Sequence, residues 1–509
     1  MKKVLFIKNA VILTVTSLAL RVIGIVFRVW LAGKIGAEGI GLYQVIFSVY
    51  ILMTAFATSG ICTAVTRMVA ARLAVNDGVG AKRTMKMAIL LSLIIAIISS
   101  LTVFAFSNAI SFYLVKDVRA SQSLRILCIS LPFLGVCSCI RGYFFARRNT
   151  LPSSFGQITE QIVRISVIVF LLGKFSSQDL KISCAVVMAG DVISEIAGTV
   201  IISIFYRFDV KHLKGSTAKK SGIMRELVRI SLPITAGKYA HTGLRTAENL
   251  LTPICFSKYT SSRSTALEQF GMIKGMALPL LLFPASLLSA VSTLLIPEMT
   301  EDMERKNYVG IAATVEKIFY LTFITSFWAG SIFLCSANQL GNAIYSSSSV
   351  GYLIRALSPL VPFMYVDLIG DGILKGLDQQ NILLRNSVID SAVRIILVML
   401  LVPKFGMTGF FAVMMFSNLF TGCLSVHRIT KISKVKFNFS VYFFKPLFSA
   451  VLSAAIADKI CASLRNSNIM YICCTGAIIT VVYLVILTLT GGMKPKIILG
   501  KIRQKMSKK

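Results

Sequence analysis

The chain has 509 residues, is 55% hydrophobic and only 15% charged, and has a mean hydropathy of +0.77. That balance excludes an ordinary soluble domain, and the long uninterrupted apolar runs exclude a transmembrane β-barrel, whose strands would alternate over short segments. A formal net charge of +33 would suit a nucleic-acid binder, but the Lys and Arg residues lie between the apolar runs, not in one basic face.

Fourteen runs of spanning length are predicted, at about 9–33, 40–66, 85–107, 121–145, 155–173, 183–206, 226–256, 266–296, 315–336, 353–374, 381–402, 408–430, 441–463 and 468–491. The expected class is all-α, a polytopic membrane protein. The first run resembles a secretory signal only superficially. It is too long, carries Arg21 and lacks a small-residue cleavage site, so a retained first helix is expected. With that helix starting inside, most of the basic residues fall in inside segments. Clusters include Lys82, Arg83 and Lys86; Arg141, Arg147 and Arg148; and Lys211, Lys214, Lys219 and Lys220. This positive-inside pattern predicts both termini in the cytoplasm and attraction to anionic membrane lipids, with no nucleic acid as partner.

The first run also poses the first chemical question. Arg21 and Arg28 sit in VILTVTSLALRVIGIVFRVWL, seven residues apart and hence on one helical face. Each costs roughly 2.5–3.5 kcal/mol at a bilayer centre on insertion scales. Either they snorkel or pair with carboxylates, or they line a wet cavity that receives an anion.

A shift of 230 residues superposes the chain on itself without a gap. Val79, Gly80 and Thr84 meet Val309, Gly310 and Thr314; Pro132–Phe133 meets Pro362–Phe363; Val163–Arg164–Ile165 meets Val393–Arg394–Ile395. The reading is two parallel six-helix repeats, 1–207 and 225–430. A basic cytoplasmic linker (208–224) joins them, two extra helices follow (431–493), and a basic cytoplasmic tail (494–509) ends the chain. Within the repeat, Glu160 and Arg164, and their counterparts Asp390 and Arg394, are four apart with the acid first, and are read as structural ion pairs.

The seventh run places Lys238, His241, Arg245 and Glu248 at i, i+3, i+7 and i+10, one stripe along a helix. Lys274 adds a cation early in the eighth run. Together with Arg21 and Arg28 these residues are the candidate cationic cavity, whose guanidinium forks suit phosphate. Scattered structural charges remain the alternative, with Glu248 neutralising Arg245. Asp191 with Glu195, and Asp367 with Asp371, are candidates to couple Na⁺ or a proton, though each could equally pair with a neighbouring helix. The eleven cysteines read as buried free thiols. No metal motif, nucleotide-binding loop or nucleophile triad is present, so neither an enzyme nor a bound cofactor is expected.

The stretches RVIGIVFRVWLAGKIGAEGIGLYQ (21–44), RGYFFARRNTLPSSFGQITEQIVRI (141–165) and DGILKGLDQQN (371–381) through RIILVMLLVPKFGMTGF (394–410) resemble the polysaccharide-transporter branch of the multidrug/oligosaccharidyl-lipid/polysaccharide exporter superfamily. The likeness is greatest to its stage V sporulation protein B group, which is similar to the lipid II flippases. It implies alternating-access transfer of an undecaprenyl-pyrophosphate-linked saccharide, a cell-wall or spore-cortex precursor, across the bacterial cytoplasmic membrane. It also implies cavity roles for Arg21, for Arg28, which lies one position from the family's second arginine, and for Lys274. The second-helix cation of the flippases has no match, since Leu52, Met53 and Thr54 occupy that region. The two extra helices resemble the flippase pair that forms a lipid-tail groove. A cation-coupled multidrug exporter on the same fold is the alternative, and a membrane enzyme acting on lipid-linked sugars a more distant one. The sequence leaves oligomeric state open.

Overall fold

A computed structural model describes residues 2–175, 179–213, 215, 222–435, 438–464 and 467–493. Most of the expected basic linker (214 and 216–221) and the expected tail (494–509) lie outside the described residues. Within them every element is helical and there is no strand. In chain order these are α1 (Lys2–Ala74), α2 (Gly78–Ala109), α3 (Ala120–Cys128), α4 (Leu131–Ala146), α5 (Leu151–Lys174), α6 (Leu180–Lys211), α7 (Ile223–Thr260) and α8 (Arg263–Gly271). There follow α9 (Leu278–Leu281), α10 (Phe283–Glu304), α11 (Tyr308–Cys335), α12 (Ala337–Tyr345), α13 (Ser348–Leu357), α14 (Val361–Gly376), α15 (Gln380–Ser433), α16 (Lys445–Ile460) and α17 (Asn468–Leu489).

Nine helices among the described residues are long and apolar enough to cross a membrane, and eleven if each of two bent pairs counts as one span. The expected fourteen runs differ from this figure for physical reasons. A continuous helix the length of α1 would extend roughly 110 Å, several times a hydrocarbon core of about 30 Å. It is broken at Gly36, whose φ of 69° and ψ of 176° belong to a region that only glycine enters cheaply. Gly406 (φ 56°, ψ −128°) breaks α15 in the same way. Each long element thus contains two of the runs read from the sequence. α7, 38 residues long, is not among the nine because its charged stripe lowers its hydropathy.

The irregular backbone positions repeat at the offset found in the sequence. Outside glycine, Asn76, Lys116 and Arg148 have positive φ, and so do Lys306, Ser346 and Asp378, each 230 residues further on. The helix caps follow: Asp77 accepts a hydrogen bond from Gly80 N at the start of α2, and Asn307 accepts one from Gly310 N at the start of α11.

The chain packs as two compact units, Met1–Gly271 and Met272–Lys509. α7 and α8 therefore pack with the first unit. That unit has two apolar cores. One gathers Leu42, Ile46, Leu124, Leu131, Met188, Leu267 and Phe270; the other gathers Ile61, Val65, Met85, Ile140, Phe144, Ile202 and Leu227. Its turns segregate to opposite ends. At one end, the Gly36 break, the turn before α3 and the start of α8 are joined: Arg119 Nη2 lies 2.7 Å from Glu38 Oε1, Ser264 Oγ donates to Glu38 Oε2 at 2.6 Å, and Arg263 Nη2 donates to the Val115 carbonyl. At the other end, Arg72 pairs with Asp77 at 3.1 Å, while Tyr143 and Arg147 converge on Asp209 at 2.5 and 3.0 Å.

α7 runs along the second segment of α1, tied by Thr246 Oγ1 to the Ser48 carbonyl and Asn249 Nδ2 to Ser48 Oγ, both at 3.0 Å. Glycine lets these backbones meet. A Cβ on Gly60 would lie 2.1 Å from the Ser231 carbonyl, and one on Gly41 2.0 Å from the Leu267 carbonyl of α8.

In the second unit, α11 and α14 enclose a core of Ile311, Phe319, Ile369 and Ile373. α16 and α17 pack on α11. Tyr442 donates to Glu316 at 2.6 Å, Tyr483 to the Ile324 carbonyl and Trp328 to Thr480, both at 3.0 Å. Around them Phe443 meets the rings of Phe323, Phe327 and Phe363.

Candidate functional site

Arg21 and Arg28 are both exposed, on the segment of α1 before the Gly36 break. On α7 the packing residues Ser231, Thr235, Tyr239, Thr246 and Asn249 face α1. Lys238, His241, Arg245 and Glu248 lie roughly 100° around the helix from that face, counting 100° per residue. Lys238 and Arg245 are exposed, His241 is half-buried, and Glu248 is only 4% exposed. The described residues place no carboxylate within ion-pairing distance of Arg28, Lys238 or Arg245. Lys238 lies within electrostatic reach of Cys62 on α1, and Arg28 within reach of Tyr43.

Five of the six expected cavity cations thus belong to the first unit. The sixth, Lys274, is half-buried in a π-helical turn (Met272–Ala277) that opens the second. An exposed guanidinium on an apolar spanning helix has two affordable surroundings, a headgroup layer or water enclosed by protein, because hydrocarbon solvates it poorly.

The expected pairs are present and larger than the sequence reading had them. Arg164 Nη2 lies 2.7 Å from Glu160 Oε1, one turn away on α5. Its Nε also lies 2.9 Å from Asp191 Oδ1 and its Nη2 3.8 Å from Glu195 Oε1, both on α6. Arg141 Nη2 on α4 reaches Glu160 Oε2 at 3.3 Å, and Tyr43 Oη on α1 donates to Asp191 Oδ2 at 3.4 Å. Four helices therefore meet in one charged network. Asp191 is 5% exposed, and the other four charged members are half-buried.

In the second unit, Arg394 Nη1 stands 3.9 Å from Asp390 Oδ2, and Ser417 Oγ donates to Asp390 Oδ1 at 2.6 Å across the two segments of α15. Asp367 and Asp371 are half-buried on α14. Among the described residues no group of three or more His, Cys, Asp or Glu side chains could hold a metal ion.

Arg141 was read in the sequence as part of a basic cytoplasmic cluster. Here it turns inward to Glu160, whereas Arg147 serves the helix-end pair with Asp209. Tyr43, Glu38 and Arg119 had no sequence signal, because their partners are 148 and 81 residues away.

The family model for polysaccharide biosynthesis proteins matches residues 6–303. The chain belongs to that family. It is 24% identical over 416 residues to the stage V sporulation protein B of Bacillus subtilis (strain 168), covering 80% of each protein. It is 21% identical over 418 residues to the lipid II flippase MurJ of the same organism, covering 77% of this chain and 76% of that one. Among solved structures, lipid II flippase MurJ in an inward closed conformation superposes with a TM-score of 0.72 at 14% identity, over 94% of this chain and 98% of that one. An inward-facing multidrug resistance MATE family transporter of the MOP superfamily gives 0.60 at 13% identity, over 82% and 96%. The fold of this membrane protein is that of the MOP superfamily, and these neighbours are transporters and flippases, not enzymes.

Proposed function

We propose that this chain is a flippase. It moves an undecaprenyl-pyrophosphate-linked saccharide, lipid II or a related cell-wall or spore-cortex precursor, across the cytoplasmic membrane by alternating access. The observation that carries the reading is the set of exposed cations on spanning helices, Arg28, Lys238 and Arg245, with no carboxylate to neutralise them among the described residues. A diphosphate offers what those groups lack, and each charge-assisted hydrogen bond to it contributes roughly 1.5–3 kcal/mol. Arg21, His241 and Lys274 complete the proposed cavity.

An exporter of cationic drugs would need the opposite arrangement, with free carboxylates in the cavity. Here Glu160 and Asp191 are held by Arg164. The family and the named activity of MurJ support the same reading. Fourteen spans, repeats at 1–207 and 225–430, and both termini in the cytoplasm complete the proposal. Parity supports the topology: the turns at Gly36, Lys116 and Ser261 gather at one end of the first unit, as alternate crossings require.

Leaflet-resolved accessibility of lipid-linked precursor, in cells depleted of the protein and then re-supplied, tests the proposal. Precursor should collect in the inner leaflet on depletion and reach the outer leaflet on re-supply. An unchanged distribution would refute it.

A further inference from the structure

The network around Arg164 is not charge-balanced. Three carboxylates, Glu160, Asp191 and Glu195, meet two guanidinium groups, Arg141 and Arg164. Arg164 has close contacts with Glu160 at 2.7 Å and Asp191 at 2.9 Å, and Arg141 leans on Glu160 at 3.3 Å. Glu195 is left at 3.8 Å from Arg164, beyond hydrogen-bond distance. One carboxylate is in excess, and Glu195 is the one without a close cation.

The other charged and titratable groups facing this site are few. α1 contributes Tyr43, Tyr50 and, within reach of Tyr43, Arg28; α4 contributes Arg141 and Cys137; α5 contributes Glu160 and Arg164. On α3, Arg125 is turned to Ser107 and Asn108 of α2, at 2.8 and 3.2 Å. Arg28 is therefore the neighbouring cation that offsets the surplus. It also belongs to the proposed anion cavity. An anion that neutralises Arg28 leaves the surplus carboxylate uncompensated in a medium that tolerates charge poorly. A metal ion is a poor remedy, because Arg164 already occupies the centre on which the carboxylates converge. A proton needs only one oxygen.

We propose that Glu195 is a proton-accepting site linked through Asp191 and Tyr43 to Arg28, so that the anionic substrate is bound together with one proton. The proton comes from water and lands on a Glu195 carboxylate oxygen; no other bond changes. This rests on the pyrophosphate reading above and deepens it, by making substrate affinity and pH interdependent.

The test measures binding of undecaprenyl pyrophosphate to the full chain in lipid nanodiscs across neutral pH. The ligand's own titration is common to all variants, so the difference between them isolates the protein's proton. Wild-type affinity should fall with rising pH by up to about tenfold per pH unit more than that of Glu195→Gln, which carries the neutral side chain permanently. Glu195→Gln should also bind more tightly than wild type at the alkaline end. Parallel profiles with binding intact overturn the proposal. A wild-type excess that follows Na⁺ concentration instead of pH assigns Glu195 to a metal ion and also overturns it. Absence of wild-type binding at every pH refutes the pyrophosphate reading itself, and this inference falls with it. If Glu195→Gln does not accumulate, proton uptake in weak buffer decides the matter, comparing wild type with Arg28→Gln at ligand concentrations that saturate both. Equal uptake overturns the linkage, and uptake by wild type alone supports it.

Discussion

Arg119 and Glu38, 81 residues apart in the chain, meet Nη2 to Oε1 at 2.7 Å, and the other oxygen of Glu38 accepts from Ser264. One carboxylate thus ties together the break in α1, the turn before α3 and the start of α8. Asp117 completes the set 2.8 Å from Arg119. Hydrogen bonding to Asp117, reinforced by Glu38, keeps the Arg119 guanidinium above its ordinary pKa, so this junction persists at alkaline pH. Replacing Glu38 with Gln keeps the shape but removes the charge, and should cost about 1.5–3 kcal/mol at that end of the unit. Hydrogen exchange there should rise while the opposite end, at Asp77 and Asp209, stays protected. Uniform exchange across both ends would count against a local junction.

The caps of α2 and α11 offer a paired test. Asp77→Ala removes both a helix cap and the partner of Arg72, whereas Asn307→Ala removes a cap to Gly310 and a hydrogen bond to Asp302. A cap is worth about 1 kcal/mol. The Asp77 substitution should therefore lower the thermal midpoint more than the Asn307 substitution. The reverse order would show that the buried Arg72–Asp77 pair contributes little.

Removing Arg164 leaves Glu160, Asp191 and Glu195 together with one guanidinium among them. Breaking a buried ion network in this way costs roughly 3–5 kcal/mol. Arg164→Ala should lower the amount of folded protein in the membrane, and Glu160→Gln in the same chain should restore part of it by relieving the repulsion. Normal accumulation of Arg164→Ala alone would contradict the buried network.

Arg28 should behave in the opposite way. It is exposed and lacks an ion partner, so Arg28→Ala should accumulate at the wild-type level yet fail to restore precursor to the outer leaflet. Arg28→Lys should restore it only in part, since an ammonium keeps the charge but not the bidentate fork. Full activity of Arg28→Ala at normal abundance would remove Arg28 from the cavity.

Much of this was legible in the sequence, and the limits have physical causes. The acid-first spacing of Glu160 and Arg164 announces their contact, because four residues is one helical turn. The contacts of Arg164 with Asp191 and Glu195 depend on how α6 lies against α5, which no local pattern records. The offset of 230 residues was visible in apolar and glycine positions and reappears in backbone dihedrals at Lys116 and Ser346, residues that carry no turn signal of their own. The stripe on α7 was readable as periodicity. That its flank, and not its stripe, packs on α1 follows from Gly60, Gly243 and Thr246, small residues that looked unremarkable beside the charges.

Those small residues bear on how such a molecule works repeatedly. At Gly41 and Gly60 the meeting surfaces are main chain against main chain, with no side chain threaded into a socket. Parting two such surfaces requires no rotamer to be released, and rejoining them requires none to be fixed again, so little side-chain entropy changes hands. A joint of this kind slides or separates like two smooth rods. It returns to the same register each time, because only one alignment puts glycine opposite a carbonyl.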